Sequence, residues 1–549
     1  MKKSVFTVAE ESPLLQRYLD NLPYKQGSPP MYHDSLTVKE LNDIRKAALY
    51  DPQQANIIYY VGDDLGDAYV HVNAESNSYT SVEWPISPEQ AALLEKIRSS
   101  MLVRAAKRKS IKTDEERRQL IDELFEEVVR SKDIGFVDRI RKSFTIPVPE
   151  EDRDLYRYFI HRDINGYGPL NTIMRDPYIE DVHAIGTENI HIIHKAFQYG
   201  LVSNVRFPSD KYLNSYLISL SERIGRPVTP TRPIVDGAMP DGSRINIIYS
   251  EDISRKGSSF TIRKFSAEPI SAVQLVKWGT MSAKLAAYIW LCLENKMNMI
   301  FSGETASGKT TSLNAILPLI DHRNKIFSAE DTPEVKPPHD TWQRCVSRES
   351  GPVEYRVTMF DLLRAALRSR PDYLIIGEIR GEEGRVAFQA MQTGIPVLST
   401  FHAANATKFI QRFTGDPINI PMTFIDNVNV LLFQSAVNVD GRILRRVTSV
   451  EEFVGYSKEE GGVLTKNVFK WDPVSDTHLF RGFQNSYILE EKVAADHGYM
   501  DKRKIYEELD KREAIIKKMV ENDITDHRSV NEALVRYFES GAEGLPFFV

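Results

Sequence analysis

The octapeptide Gly303-Glu304-Thr305-Ala306-Ser307-Gly308-Lys309-Thr310 satisfies the pattern G-x-x-x-x-G-K-[ST] at every position. No other stretch constrains the fold as strongly, because the pattern works only as a turn between a strand and a helix. Its glycines let backbone N–H groups turn inward around a polyphosphate, and the following helix N-terminus adds a favourable field for anions. Lys309 can reach the β- and γ-phosphates as a point charge, and the Thr310 hydroxyl can hold Mg²⁺. The flanks fit. Met299-Ile300-Phe301 is a short apolar run that predicts a strand, and a helix is predicted over Thr311–Leu317. Residues 303–311, with Thr311 closing the loop, are therefore the candidate binding residues for a nucleotide, with ATP and Mg²⁺ as the expected ligands.

The remainder of the C-terminal half alternates strand and helix, which implies a parallel sheet with crossover helices. In such sheets ligands gather at the carboxyl ends of strands. The predicted strand Lys325–Ala329 ends in Glu330-Asp331, Tyr373–Ile376 ends in Gly377-Glu378, and Val397–Phe401 ends in His402. Three groups able to move or hold a proton thus follow three strand ends in a domain that already carries a phosphate loop. Phosphoryl transfer to water needs a metal ion, a group that orients the attacking water, and positive charge for the developing oxyanions. Glu330 and Glu378 are the candidates for the water and the metal, with the division between them left open. Glu378 joins Thr310 as a candidate metal ligand. His402 is placed to sense the γ-phosphate or to meet a neighbouring subunit. Asp372 lies at the start of its strand, away from the phosphates. The stripe Met359, Phe360, Leu363, Ala366 and Leu367, capped by Thr358-x-x-Asp361, predicts an amphipathic helix. Arg364, Arg368 and Arg370 lie on or beyond its polar side.

With 549 residues the chain exceeds one compact core. Hydrophobic and charged contents of 42% and 27% are those of an ordinary globular protein. A net charge of −6 speaks against a dominant nucleic-acid surface. Two cysteines, Cys292 and Cys345, build neither a disulfide framework nor a four-thiolate zinc site. No apolar run reaches the length of a membrane span, and the first residues lack a signal-peptide core, so a cytoplasmic location is expected. Residues 1–150 read as a variable N-terminal region of helices and short strands, beginning as a loose arm. Residues 151–266 read as a mixed α/β domain, 267–270 as a hinge linker, and 271–549 as the phosphate-loop domain with a C-terminal strand and helical extension. Within 151–266, Ile234–Met239, Arg244–Tyr249 and Ser259–Lys264 are predicted strands.

These residues resemble a known family. Ile326-Phe327-Ser328-Ala329-Glu330-Asp331-Thr332-Pro333-Glu334 resembles the Asp box of the type II/type IV secretion ATPases, Gly377-Glu378-Ile379-Arg380 their Walker B motif, and Ser399-Thr400-Phe401-His402-Ala403-Ala404-Asn405 their His box. The phosphate loop, Val386–Gly394 and Pro240-Asp241-Gly242-Ser243-Arg244-Ile245-Asn246 resemble the archaellum motor ATPase and archaeal pilus assembly ATPases in particular. The likeness runs from about Tyr156 to the end. It implies a RecA-like P-loop ATPase domain hinged to a separate mixed α/β N-terminal domain, and a homo-hexameric ring. It implies ATP hydrolysis that powers assembly of an archaeal type IV pilus-like filament and, in the archaellum, its rotation. Implied partners are a polytopic membrane platform protein and accessory cytoplasmic motor proteins, with peripheral attachment to the membrane through them and no nucleic acid. In the family, N-terminal-domain arginines close onto the nucleotide; Arg244 and Arg263 match those positions, and without the resemblance they read as strand-borne surface arginines. Adhesive pilus assembly and type II secretion remain alternatives on the same engine. A nucleic-acid translocase on a RecA core and a nucleotide-binding scaffold without turnover are more distant ones.

Overall fold

The computed structural model describes residues 4–22, 29–63, 66–106, 108, 113–131, 145–197, 199–264, 269–348, 353–439 and 442–548. The chain forms two compact units, 1–265 and 266–549. Of the expected linker 267–270, Ala267 and Glu268 lie outside the described residues.

The N-terminal unit is built on one ten-stranded mixed sheet. Its order is Met31–His33, Asn56–Tyr60, Tyr69–Asn73, Ser78–Val82, Leu201–Ser203, His191–His194, Ile179–Ile185, Ser259–Arg263, Arg244–Ile248 and Ile234–Ala238. Strands from both sides of residue 150 share this sheet, joined where Ser78 and Tyr79 pair in parallel with Val202 and Ser203. The join is reinforced from within. Asp176 is fully buried, and its Oδ2 accepts from the hydroxyls of Tyr59 at 2.6 Å and Tyr79 at 2.9 Å. A buried carboxylate is tolerated only with such partners. The opening residues, expected as a loose arm or linker with short helices, do form short helices, and these pack on the sheet. Helices Val5–Glu11 and Pro13–Asp20 bury Val5, Val8, Leu14, Leu15 and Leu19 against Tyr32, Ile58, Tyr69 and Val82.

The C-terminal unit has a nine-stranded sheet in the order Trp342–Val346, Ile326–Glu330, Tyr373–Ile376, Val397–Phe401, Met299–Ser302, Val430–Val439, Arg442–Ser457, Gly462–Asp472 and Thr477–Phe480. The first six strands are parallel and the last three continue as an antiparallel meander. Parallel strands are covered on both faces, so their sequences run apolar without a break. Period-two alternation still decides which core each side chain enters. Met299, Phe301, Ile326, Tyr373 and Ile375 face one core, beside helix Ala283–Glu294. Ile300, Phe327, Leu374 and Ile376 face the other, beside helices Met359–Ser369 and Glu383–Gln392. Helix Ala283–Glu294 is buried nearly all round, as a helix without a polar face must be. The strand that carries the phosphate loop is separated from Tyr373–Ile376 by Val397–Phe401. Consequently the loop, Gly377-Glu378 and His402 emerge from three adjacent strands at the same edge. The architecture is α/β, a RecA-like parallel sheet in one unit and a mixed α/β sheet in the other, with helices toward both termini. Among the described residues no helix is long and apolar enough to cross a membrane.

Candidate functional site

The phosphate loop is shaped by its two glycines and by the strand beside it. Gly303 has φ +156° and Gly308 φ +93°, the region that favours glycine. Space is as restrictive as angle. A Cβ on Gly303 would lie 2.1 Å from the carbonyl oxygen of Gln434, and one on Gly308 would lie 2.9 Å from Gln434 Nε2. Gln434 reaches both because strand Val430–Val439 pairs in parallel with Met299–Ser302, with Phe433 opposite Ser302, so the next residue lies beside the start of the loop. Ala306 also takes a left-handed conformation, φ +61°. Helix Lys309–Ile316 starts at Gly308, so the first N–H groups of the helix face the loop.

Lys309 is 7% exposed, and its Nζ donates to the carbonyl of Glu304 at 2.7 Å, folding the side chain back over the loop. Burial lowers its pKa, and the nearby Glu378 carboxylate partly offsets this. Glu378 in turn is held on both oxygens. His402 Nε2 lies 3.1 Å from Oε1, and Arg380 Nη2 donates to Oε2 at 2.5 Å. His402 is pushed toward the neutral form, chiefly by burial and further by the cations Lys309, Arg380 and Arg412, against the pull of Glu378. The His402 backbone is fixed as well. Arg412 donates to the His402 carbonyl, and Ser302 Oγ donates to the Ala403 carbonyl at 2.7 Å. Gly303, Glu304, Thr305, His402, Ala403 and Ala404 line a cleft of about 270 Å³.

Glu330 sits deeper, at 1% exposure. Its Oε1 accepts from the N–H groups of Glu334 and Val335 at 2.7 and 2.8 Å, while Oε2 is buried with no protein partner. Burial raises its pKa to about 7, against the two amides and Arg344, which stabilise the charged form. The side chain packs on Gly377, where a Cβ would meet Glu330 Cγ at 3.2 Å. That contact explains glycine at a position where such strands often carry an acid. Asp331 accepts from Ser347 Oγ at 2.7 Å. Asp372, at the opposite strand end, accepts from the Lys325 N–H at 2.9 Å.

The structure thus brings the loop, Lys309, Glu378 and His402 together, with Glu330 in the adjoining interior. Thr310 is half-buried and Thr311 exposed on the first turn of the loop helix. Arg244 and Arg263 belong to the N-terminal unit, where they are directly opposed on neighbouring strands. Asp181 Oδ1 accepts from Arg263 Nε at 2.9 Å, and Asp236 lies 3.6 Å from Arg244. Sequence reasoning missed Gln434, Asn314 and Arg412. The only signal for Gln434 was a polar residue directly after the apolar run Val430–Phe433. Chemically, the loop offers a helix N-terminus and a buried ammonium to an anion, beside two carboxylates in different environments.

The sequence is similar to those of known proteins. Residues 163–452 match the sequence profile of the family described as "Type II/IV secretion system protein". An uncharacterized protein of Methanocaldococcus jannaschii is 49% identical over 549 residues, covering 98% of this chain and 97% of that one. The probable conjugal transfer protein TrbB of Sinorhizobium fredii is 31% identical over 235 residues, 41% of this chain and 70% of its own. Among solved structures, the Legionella pneumophila ATPase DotB is similar at 17% identity with a TM-score of 0.37, covering 68% of this chain and 91% of that one. The matched profile spans more than half of the chain and includes the phosphate loop, Glu330, Glu378 and His402: the protein belongs to the type II/IV secretion system family.

Proposed function

We propose that this protein hydrolyses ATP in its C-terminal unit and uses the energy to drive assembly of a type IV pilus-like filament, of the archaellum or a related kind, as a hexameric ring below a membrane platform. The observation that carries the hydrolytic reading is the grouping of Lys309, Glu378 and His402 at the phosphate loop, where Glu378 lies 3.1 Å from His402 and His402 lines the cleft. The loop's N–H groups and Lys309 bind the β- and γ-phosphates of the nucleotide. Thr310 and Glu378 would hold Mg²⁺, whose contribution when bound is to neutralise charge on the phosphate oxygens. The residues fit that role: a hydroxyl on the first helical turn and a carboxylate already oriented by His402 and Arg380.

Glu330 orients the attacking water. Its buried Oε2 lacks a protein partner, and a carboxylate with a pKa of about 7 is matched to accepting a proton near neutrality. Water adds to the γ-phosphorus, the bond from that phosphorus to the β,γ-bridging oxygen breaks, and ADP leaves with the electron pair. The water proton passes to Glu330 or to the departing phosphate. Neutral His402 shares a hydrogen bond with Glu378 and keeps that carboxylate in place. Arg244 and Arg263, adjacent at one sheet end, supply cations that close onto the nucleotide. Family membership supports the secretion or pilus setting.

Glu378→Gln tests the hydrolytic reading. The variant is expected to retain ATP binding and to lower the turnover rate by about a hundredfold or more, the scale for removing a group that acts at the transition state. Loss of ATP binding with a normal rate per bound nucleotide would refute the role.

A further inference from the structure

One side chain ties the helix behind the phosphate loop to the segment that holds Glu330. Asn314 lies inside helix Lys309–Ile316 and is 8% exposed. Its Nδ2 donates to the carbonyl of Thr310, one turn back, at 3.2 Å, and to the carbonyl of Glu334 at 3.0 Å. Its Oδ1 accepts from the Lys336 N–H at 2.8 Å. Both amide hydrogens and the oxygen are therefore used. Asn is a poor helix former because its side chain competes with the backbone, so local propensity does not account for it in the middle of this helix. Its three bonds to two segments do.

The segment it grips is the one that cradles Glu330. The N–H groups of Glu334 and Val335 hold Glu330 Oε1, and they lie beyond the end of strand Ile326–Glu330. On the other side of this segment Arg344 donates to the Pro333 carbonyl at 2.9 Å. Hydrogen bonds thus run from the backbone of Thr310, through one carboxamide, to the two amides that fix a catalytic carboxylate. We propose that Asn314 is the positioning residue for Glu330: it sets that carboxylate's place relative to the Lys309–Thr310 end of the loop and acts on hydrolysis through Glu330 alone. The inference rests on the reading of Glu330 as the group that orients water. Any movement of the loop helix on nucleotide binding reaches Glu330 by this route, so placement of the water-orienting group follows occupation of the loop.

The test is a double-mutant cycle in the full-length protein. Asn314→Ala and Asn314→Asp are made alone and with Glu330→Gln, and kcat, KM for MgATP and equilibrium binding of a fluorescent ADP analogue are measured. Asn314→Asp keeps volume and the acceptor oxygen but loses both donors, so it tests the tie if Asn314→Ala fails to fold. Each single variant is expected to lower kcat by about tenfold to a hundredfold, the cost of misplacing a reacting group by about an ångström. KM and ADP affinity should stay within about threefold, and in the Glu330→Gln background the Asn314 substitution should cost nothing more. An equal further loss of kcat in that background, or a loss of ADP affinity as large as the loss of kcat, overturns the proposal. Failure of the underlying reading looks different: Glu330→Gln by itself would then turn over like wild type.

Discussion

Glu330→Gln should make the protein more stable and less active, and the stability change should depend on pH in one direction. The carboxyl has an ordinary pKa of 4.5 and is raised to about 7 in the folded protein. Below the lower value both folded and unfolded states hold the proton. Between the two values the unfolded state has released its proton while the folded state keeps it, so stability falls as pH rises. Above about 7 the folded protein must carry a buried carboxylate and the loss is complete. A shift of about 2.5 units at about 1.4 kcal/mol each gives a full loss of about 3.5 kcal/mol, of which about 3 kcal/mol falls between pH 4.5 and 8.5. Glutamine is neutral throughout, and its carboxamide oxygen can accept the same two N–H groups. Whatever fixed difference the substitution brings cancels when two pH values are compared. Thermal unfolding of wild type and Glu330→Gln at pH 4.5 and 8.5 should therefore show the gap opening by about 3 kcal/mol in favour of glutamine, a relative shift of roughly 5 °C or less in midpoint for a unit of this size. Tryptophan fluorescence is a suitable probe, because Trp342 lies on the strand paired with Ile326–Glu330 and donates to Ser328 Oγ at 2.8 Å. Over the same range kcat of wild type should rise through about pH 7, and kcat of the variant should be about a hundredfold lower. A stability gap that stays constant, or that opens in favour of wild type, would refute the assignment of a buried, proton-holding carboxyl at this position.

Three further substitutions test other assigned roles. Gly377→Ala places a methyl group 3.2 Å from Glu330 Cγ; it should lower kcat by about tenfold through displacement of that side chain while leaving the affinity for ADP near wild type, as read by turnover and by equilibrium titration. Arg244→Ala and Arg263→Ala should each reduce kcat by more than they raise KM, the mark of a cation acting on the transition state, and salt should not restore the rate; a matching rise in KM would argue for simple ground-state binding.

The parts of this protein legible in sequence are those whose signal is local. The phosphate loop is a contiguous pattern, and Glu330, Glu378 and His402 each directly follow a short apolar run, so the rule about strand ends finds them without knowing the strand order. Strand Trp342–Val346 escaped because it is an edge strand with little burial, where side chains carry no periodic apolar signal. Non-local features were equally silent. The parallel pairing of Ser78 and Tyr79 with Val202 and Ser203 joins segments far apart in the chain, and nothing in either segment names the other. Gln434 meets Gly303 and Gly308 only because its strand runs beside Met299–Ser302. The packing of Gly377 on Glu330 likewise depends on two strands lying side by side. Burial sorted the glutamates in a way the chain could not. Glu330 is enclosed with one oxygen unpaired, whereas Glu378 lies near the cleft between His402 and Arg380.

On this reading MgATP is bound by the loop at 303–311 and cleaved there. Phosphate release from ATP by the wild-type protein, measured with and without Mg²⁺ beside Lys309→Ala, tests it most directly. Wild type should release phosphate only when Mg²⁺ is present, and Lys309→Ala should release none above background. Release by Lys309→Ala at the wild-type rate would contradict it.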